Sequence, residues 1–227
     1  MTPRILKDRL YEQVARIGQA LSSPKRLEIM DLLAQGEKAV EVLASELSAD
    51  VRLTSTHLKV LRQAHLAASR GEGKRIFYRL SGEDVALLEV ALRRVAERHL
   101  LELRAALREM VTRPETLTSV ANEALLEQAR CGEVVVIDVR PRLEFDAAHL
   151  PFARSMPLDE LEQRLEELAS GKEIVAYCRG PFCLMSDQAV ALLSAKGFAA
   201  RKIRDGVSEW QAAGMPLEPP PGERIHP

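Results

Sequence analysis

The 227 residues, 46% hydrophobic and 29% charged, describe a soluble globular chain of one or two domains with enough apolar sequence for a real core. No apolar run approaches the length of a membrane span and the N-terminus has no apolar signal segment, so the expected location is the cytoplasm and no membrane partner is expected. Three cysteines, Cys131, Cys178 and Cys183, are too few and too odd a number for a disulfide framework and suit reduced thiols. The net charge of −1 divides unevenly, with +4 over residues 1–110 and −5 over residues 111–227. Between Arg52 and Arg79 seven basic residues stand against Glu72 alone, the electrostatic footprint of nucleic-acid binding.

In chain order, Leu10, Val14, Ile17 and Leu21 recur at helical spacing, and Ser22-Ser23-Pro24 ends that helix and opens the next. Gly36 stops the second helix. A short helix over residues 40–47 and a longer amphipathic one over 52–64, with Leu58 and Leu61 on its buried side, make the helix-turn-helix geometry that seats a helix in a DNA major groove. Residues 66–70 and 75–80 alternate as two strands around Gly71-Glu72-Gly73-Lys74, a hairpin whose Arg70, Lys74 and Arg75 would reach phosphates. Ser55, Thr56, His57, Lys59 and Arg62 lie on the exposed side of the second helix of the pair, where short hydroxyls and cations suit base edges and phosphates; a merely solvated charged face is the alternative. From Asp84 to Met110 one long helix is expected, with a seam of Val85, Leu88, Leu92, Val95 and His99.

Leu21-Ser22-Ser23-Pro24-Lys25-Arg26-Leu27, the run from Thr56 to Leu66, and the hairpin ending Phe77-Tyr78-Arg79-Leu80 resemble the ArsR/SmtB-type winged-helix repressors over roughly residues 10–110. The resemblance implies a homodimer paired through its first and last helices, presenting two reading helices to a palindromic double-stranded operator. It also implies where a metal sensor would sit, and Ala39-Val40-Glu41-Val42-Leu43-Ala44 holds no Cys-x-Cys box there. No metal and no cofactor are expected.

Val111-Thr112-Arg113-Pro114-Glu115-Thr116 breaks the helical pattern and forms a linker over 111–116, between a domain over 1–110 and another over 117–227. A joint this short implies contact between the C-terminal domain and the preceding helix. Beyond it, helices over 119–130, 158–168 and 187–196 alternate with strands over 134–137, 174–177 and 201–203, an α/β layer with a parallel sheet. Cys178 leaves the carboxyl end of a strand, where such sheets bind ligands. Ser186 is placed to cap the following helix, whose N-terminus would favour a thiolate or an anion in the Cys178 loop. A small buried cysteine is the plainer reading of that residue. Cys131 ends a helix before Gly132 and reads as an incidental thiol.

Ile137-Asp138-Val139-Arg140, Glu144-Phe145, His149-Leu150-Pro151, Tyr177-Cys178-Arg179, Gly197-Phe198 and the stretch from Asp205 to Pro216 resemble a rhodanese domain, a sulfurtransferase fold in which one cysteine carries a persulfide. The resemblance implies Cys178 as the sulfur-accepting nucleophile, Arg179 in its loop, and Asp138 and Arg140 in the supporting strand-end motif. It departs where the loop-closing arginine is expected, for Cys183 stands there and Leu184-Met185 lengthen the loop. A second thiol beside the first is the arrangement of redox-sensing pairs. The whole chain is therefore expected to be an α/β multidomain protein: a mostly α winged helix-turn-helix with a β-hairpin wing, then a rhodanese-like domain. Its expected function is a repressor that senses reactive sulfur, with polysulfide, persulfide or thiosulfate as the small donor, Cys178 loading sulfur and Cys183 resolving it. Two further readings stay open, a sulfurtransferase tethered to DNA and a two-thiol arsenite sensor.

Overall fold

The computed structural model describes residues 2–111, 113–118, 120–168 and 171–218. Thr112 of the linker, the expected helix start at Ser119 and the end of the C-terminal domain from residue 219 lie outside the described residues. The chain divides into two compact units, 1–89 and 90–227.

The first unit carries α1 (Pro3–Leu21), α2 (Pro24–Ala34), α3 (Val40–Glu46) and α4 (Val51–Gln63), with a small antiparallel sheet of β1 (Lys38–Ala39), β2 (Ala67–Glu72) and β3 (Arg75–Leu80) in the order β1-β3-β2. Local chemistry sets each boundary. Thr2 caps α1 and Pro24 stands in the first turn of α2, where a missing N–H costs nothing. Asp50 caps α4 by accepting from the Arg52 and Leu53 amides. His65, at φ +59°, ends α4 in the left-handed region, letting the Leu66 amide bond back to the Leu61 carbonyl. The core gathers Ile29, Met30, Leu43, Leu58 and Leu61, all fully buried, at about 2 kcal/mol of hydrophobic stabilisation for each such side chain. That packing fixes the pitch of α4 and leaves its other side in solvent.

A helix expected to run unbroken to Met110 is instead two: α5 (Glu83–His99) and α6 (Leu101–Met110). Leu100 between them is extended, at φ −101° and ψ 112°. The sequence offers no glycine or proline at the break, so apolar periodicity alone carries the expectation straight across it.

In the second unit, α7 (Asn122–Arg130), β4 (Val134–Asp138), α8 (Arg142–Ala147), β5 (Arg154–Ser155), β6 (Glu173–Tyr177), α9 (Met185–Ala195), β7 (Ala200–Lys202) and α10 (Val207–Ala212) surround a four-stranded parallel sheet ordered β5-β4-β6-β7. Alternate residues of β4 and β6 feed two cores. Ile137, Ile174, Ala176 and Cys178 face Val190 and Leu193, while Val136, Val175 and Tyr177 face Leu125 and Trp210. Burial on both faces is why these strands read as continuous apolar runs. The helix expected over 158–168 is a 3₁₀ segment, Leu161–Glu167, bent at Arg164. Ion pairs of Arg164 with Glu160 and Glu167 hold the bend.

Within the second unit the segment after residue 90 lies against the parallel-sheet layer. The Thr118 amide bonds to the Lys202 carbonyl, Leu117 bridges Lys202, Arg204 pairs with Glu97, and Arg93 reaches Glu209 at 2.7 Å.

Candidate functional site

Strand β6 delivers Cys178 to the carboxyl edge of the sheet, and the loop 178–184 carries the chain over to α9. Cys178 is buried, 3% exposed. Cys183 is half-buried above it and the two are free thiols. Ser186 does not cap α9; the N-cap is Leu184, without a side-chain bond, and Ser186 lies inside the first turn. Its hydroxyl sits 3.3 Å from Cys178 Sγ. The Cys183 carbonyl, 3.6 Å away, accepts from the protonated thiol.

Hydrogen bonding from the Cys183 thiol, and then from the Ser186 hydroxyl and the Ser186 and Gly180 amides, overcomes the cost of burial and lowers the Cys178 pKa to about 6. The same bond pushes the Cys183 pKa up, since Cys183 must keep its proton to donate. Of the pair, Cys178 is thus the thiol biased toward the thiolate and Cys183 the one biased toward keeping its proton.

The loop is held from beneath by glycine. A Cβ on Gly206 would come 2.4 Å from the Arg179 carbonyl carbon and oxygen and 2.7 Å from the Cys178 oxygen, so α10 begins against the loop backbone only because residue 206 has no side chain. Gly180, at φ +131°, also lies against the Glu209 carboxylate. That carboxylate accepts from the Gly206 amide at 3.0 Å and from Arg93, whose guanidinium lies 5.6 Å from the centre of the Phe182 ring.

The other residues expected at the thiol stand apart from it. Arg179 turns away and pairs with the buried Glu144 through its Nε and Nη2. Asp138 and Arg140 form a wholly buried pair at 2.7 Å, with Arg140 also donating to the Ala148 carbonyl and lying 5.7 Å from the centre of the Tyr177 ring. They brace the ends of β4 and β6. Among the described residues none of these three contacts Cys178 Sγ through a hydrogen bond. Ser186, Gly206 and Glu209 also shape the site: the sequence placed Ser186 beside it only as a helix cap, and signalled Gly206 and Glu209 only through the Asp205–Pro216 stretch. Cys131 is exposed, and its thiol donates to Glu127, which raises its pKa.

On α4, Thr56, Lys59 and Arg62 are exposed, Ser55 and His57 partly so. The Ser55 and Thr56 hydroxyls donate to the Val51 and Arg52 carbonyls one turn back, leaving oxygen lone pairs outward. Arg62 reaches Ser69. At the hairpin tip Lys74 and Arg75 are exposed, and among the described residues they have no acidic partner. Arg70 is committed elsewhere, paired with Glu37 and Glu72 and lying 4.8 Å from the centre of the Phe77 ring.

Residues 23–69 match the bacterial regulatory protein, arsR family, and residues 121–213 match the rhodanese-like domain. The HTH-type transcriptional regulator Rv0324 of Mycobacterium tuberculosis is 41% identical over 212 residues, 93% of each chain. The chain is an ArsR-family regulator with a rhodanese-like domain. A sulfurtransferase of Allochromatium vinosum is 27% identical over 47% of this regulator and 99% of its own length. The solved homodimeric winged helix-turn-helix DNA-binding domain of a Mycobacterium bovis protein is 43% identical, covering 45% of the regulator and 93% of that chain with a TM-score of 0.41. Among the described residues no helix is long and apolar enough to cross a membrane, and no group of three or more His, Cys, Asp or Glu side chains could hold a metal.

Proposed function

We propose that the protein is a cytoplasmic, homodimeric transcriptional repressor that reads reactive sulfur through Cys178 and Cys183. The observation that carries this reading is the pair itself: a buried free thiol with a second free thiol five residues on in the same loop, in a rhodanese-like domain fused to an ArsR-type DNA reader. In this reading residues 1–110 bind a palindromic double-stranded operator and dimerise, residues 111–116 join, and residues 117–227 handle sulfur. Ser55, Thr56, His57, Lys59 and Arg62 face the major groove, with Lys74 and Arg75 on phosphates and Arg70 a brace of the wing. Dimerisation is supported by exposed apolar side chains at helical spacing on α1, Leu6, Leu10 and Val14, and on α5, Leu88, Leu92 and Val95.

The chemistry balances in two steps. The Cys178 thiolate attacks the outer sulfur of a donor RS–SH, forming Cys178–S–SH and releasing RS⁻. The Cys183 thiol gives up its proton and attacks Cys178 Sγ, forming the Cys178–Cys183 disulfide and expelling HS⁻, so the sulfane sulfur is the oxidant. Asp138, Arg140 and Arg179 act as positioning residues, through the braces described above.

The test is operator affinity with and without polysulfide, for the wild type and Cys178→Ser. A change in the wild type that Cys178→Ser abolishes is expected; unchanged affinity in all four measurements would refute the sensing role. The similarity to a named sulfurtransferase favours a second reading, an enzyme tethered to DNA. Cys183 in the loop-closing position and Arg179 locked on Glu144 leave the loop without a free cation for thiosulfate, which favours single loading over turnover. Steady-state assays with thiosulfate and persulfide donors separate the two, many turnovers per chain supporting the enzyme.

A further inference from the structure

Beside the thiol loop lies a cavity of about 460 Å³, within the size range of small-molecule sites. Cys183 and Ser186, the two residues whose oxygens lie 3.6 and 3.3 Å from Cys178 Sγ, are both part of its wall, so that sulfur lies one residue beneath the surface an occupant would touch. The opposite wall is α6 and the segment after it. Leu107, Met110, Val111, Leu117 and Leu184 give it an apolar lining.

The charges on the wall are four cations and two acids. Lys202 is taken by Asp187 and Arg204 by Glu97. Arg104 and Arg108, four apart on α6 and therefore on one face of it, have no ion-pair partner among the described residues. An inorganic donor such as thiosulfate would leave most of this volume and its apolar lining unused. A donor with an organic body and an anionic group would fill it, with its anion on the two arginines and its sulfur at Cys183 and Cys178.

We infer that this cavity binds an anionic, low-molecular-weight organic persulfide, RS–SH, and that Arg104 and Arg108 select it over inorganic sulfur. The inference rests on Cys178 being the sulfur acceptor and adds the class of donor. The sulfur moves as above: Cys178 takes the outer sulfur, and RS⁻ leaves into the cavity, where Arg104 and Arg108 hold the departing thiolate's anionic end.

The test uses the full chain with glutathione persulfide and with inorganic polysulfide, following Cys178 loading by rapid quench and mass spectrometry. At equal concentration of sulfane sulfur the organic donor should load faster, and S-methylglutathione should compete with it. Arg104→Ala with Arg108→Ala should lower the organic-to-inorganic rate ratio by roughly tenfold for each arginine, the size of one charge-assisted hydrogen bond. Both side chains are exposed on a helix and alanine suits helices, so the variant keeps its fold, checked by circular dichroism. Loading by polysulfide alone, or a rate ratio unmoved in the double variant, overturns the cavity assignment and leaves the sulfur-accepting role intact. Failure of every donor to load Cys178 overturns both.

Discussion

Replacing Cys183 with alanine removes the strongest single reason that Cys178 is ionised. Hydrogen bonding holds the Cys178 thiol at about 6, below the ordinary value of about 8.5, which favours the thiolate at neutral pH. Cys183→Ala leaves the Ser186 hydroxyl and the Ser186 and Gly180 amides in place but deletes the leading donor, while burial, which opposes ionisation, remains. The titration midpoint should therefore rise well above 6, and Cys183→Ala with Ser186→Ala should raise it further. Thiolate absorbance at 240 nm in a Cys131→Ser background reads this without a reagent having to reach a buried sulfur. The same coupling predicts a stability profile. Because the folded pair loses its first proton near pH 6 and an unfolded thiol near 8.5, folding stability should rise with pH between those values, by up to about 3 kcal/mol. Above about 8.5 it should fall, since the unfolded chain then sheds a second proton that Cys183 in the folded chain retains. A midpoint that stays near 6 in Cys183→Ala would refute Cys183 as the donor, and a wild-type midpoint above 8 would refute the thiolate altogether.

Asp138→Ala would strand Arg140 in a wholly buried site and should cost about 3–5 kcal/mol in urea unfolding; a loss below 1 kcal/mol would show that Arg140 finds other support. Gly206→Ala puts a methyl into the backbone of Cys178 and Arg179, and should raise the Cys178 pKa and slow its persulfide loading while leaving operator binding by the unmodified protein near wild type. Electrophoretic shift assays across a salt series should give Lys74→Ala with Arg75→Ala a slope of log affinity against log salt shallower by about 3.6, since each phosphate contact contributes about 0.9 and the dimer loses four of them. An unchanged slope would remove the hairpin tip from the DNA interface.

What the sequence made legible is what neighbouring residues decide. Asp50 and the apolar spacing of Leu58 and Leu61 are enough for α4, and Gly71 to Lys74 are enough for a hairpin, because caps and turns are local chemistry. The place of Cys178 was legible too, since a buried strand must deliver its last residue to the sheet's edge. What stayed hidden depends on distant partners. Nothing near Arg179 announces Glu144, 35 residues away, so a cation expected at the thiol is spent on a brace. Arg93 and Glu209 are 116 residues apart and meet only through the fold. Ser186 has the right chemistry for a cap, yet the helix starts two residues earlier than expected, at Met185, and the hydroxyl lies beside the sulfur instead. The break at Leu100 has no local signature at all.

Cys131 gives the molecule an internal standard. It is the open thiol and the one whose pKa is raised, by Glu127, whereas Cys178 is shut in and its pKa is lowered. Accessibility and reactivity are thereby inverted within one chain. A bulky maleimide will report Cys131 first, and a small electrophile at neutral pH will favour Cys178. With one reagent for both sites, the quotient of the two signals measures how far the thiol loop has opened, independent of protein concentration.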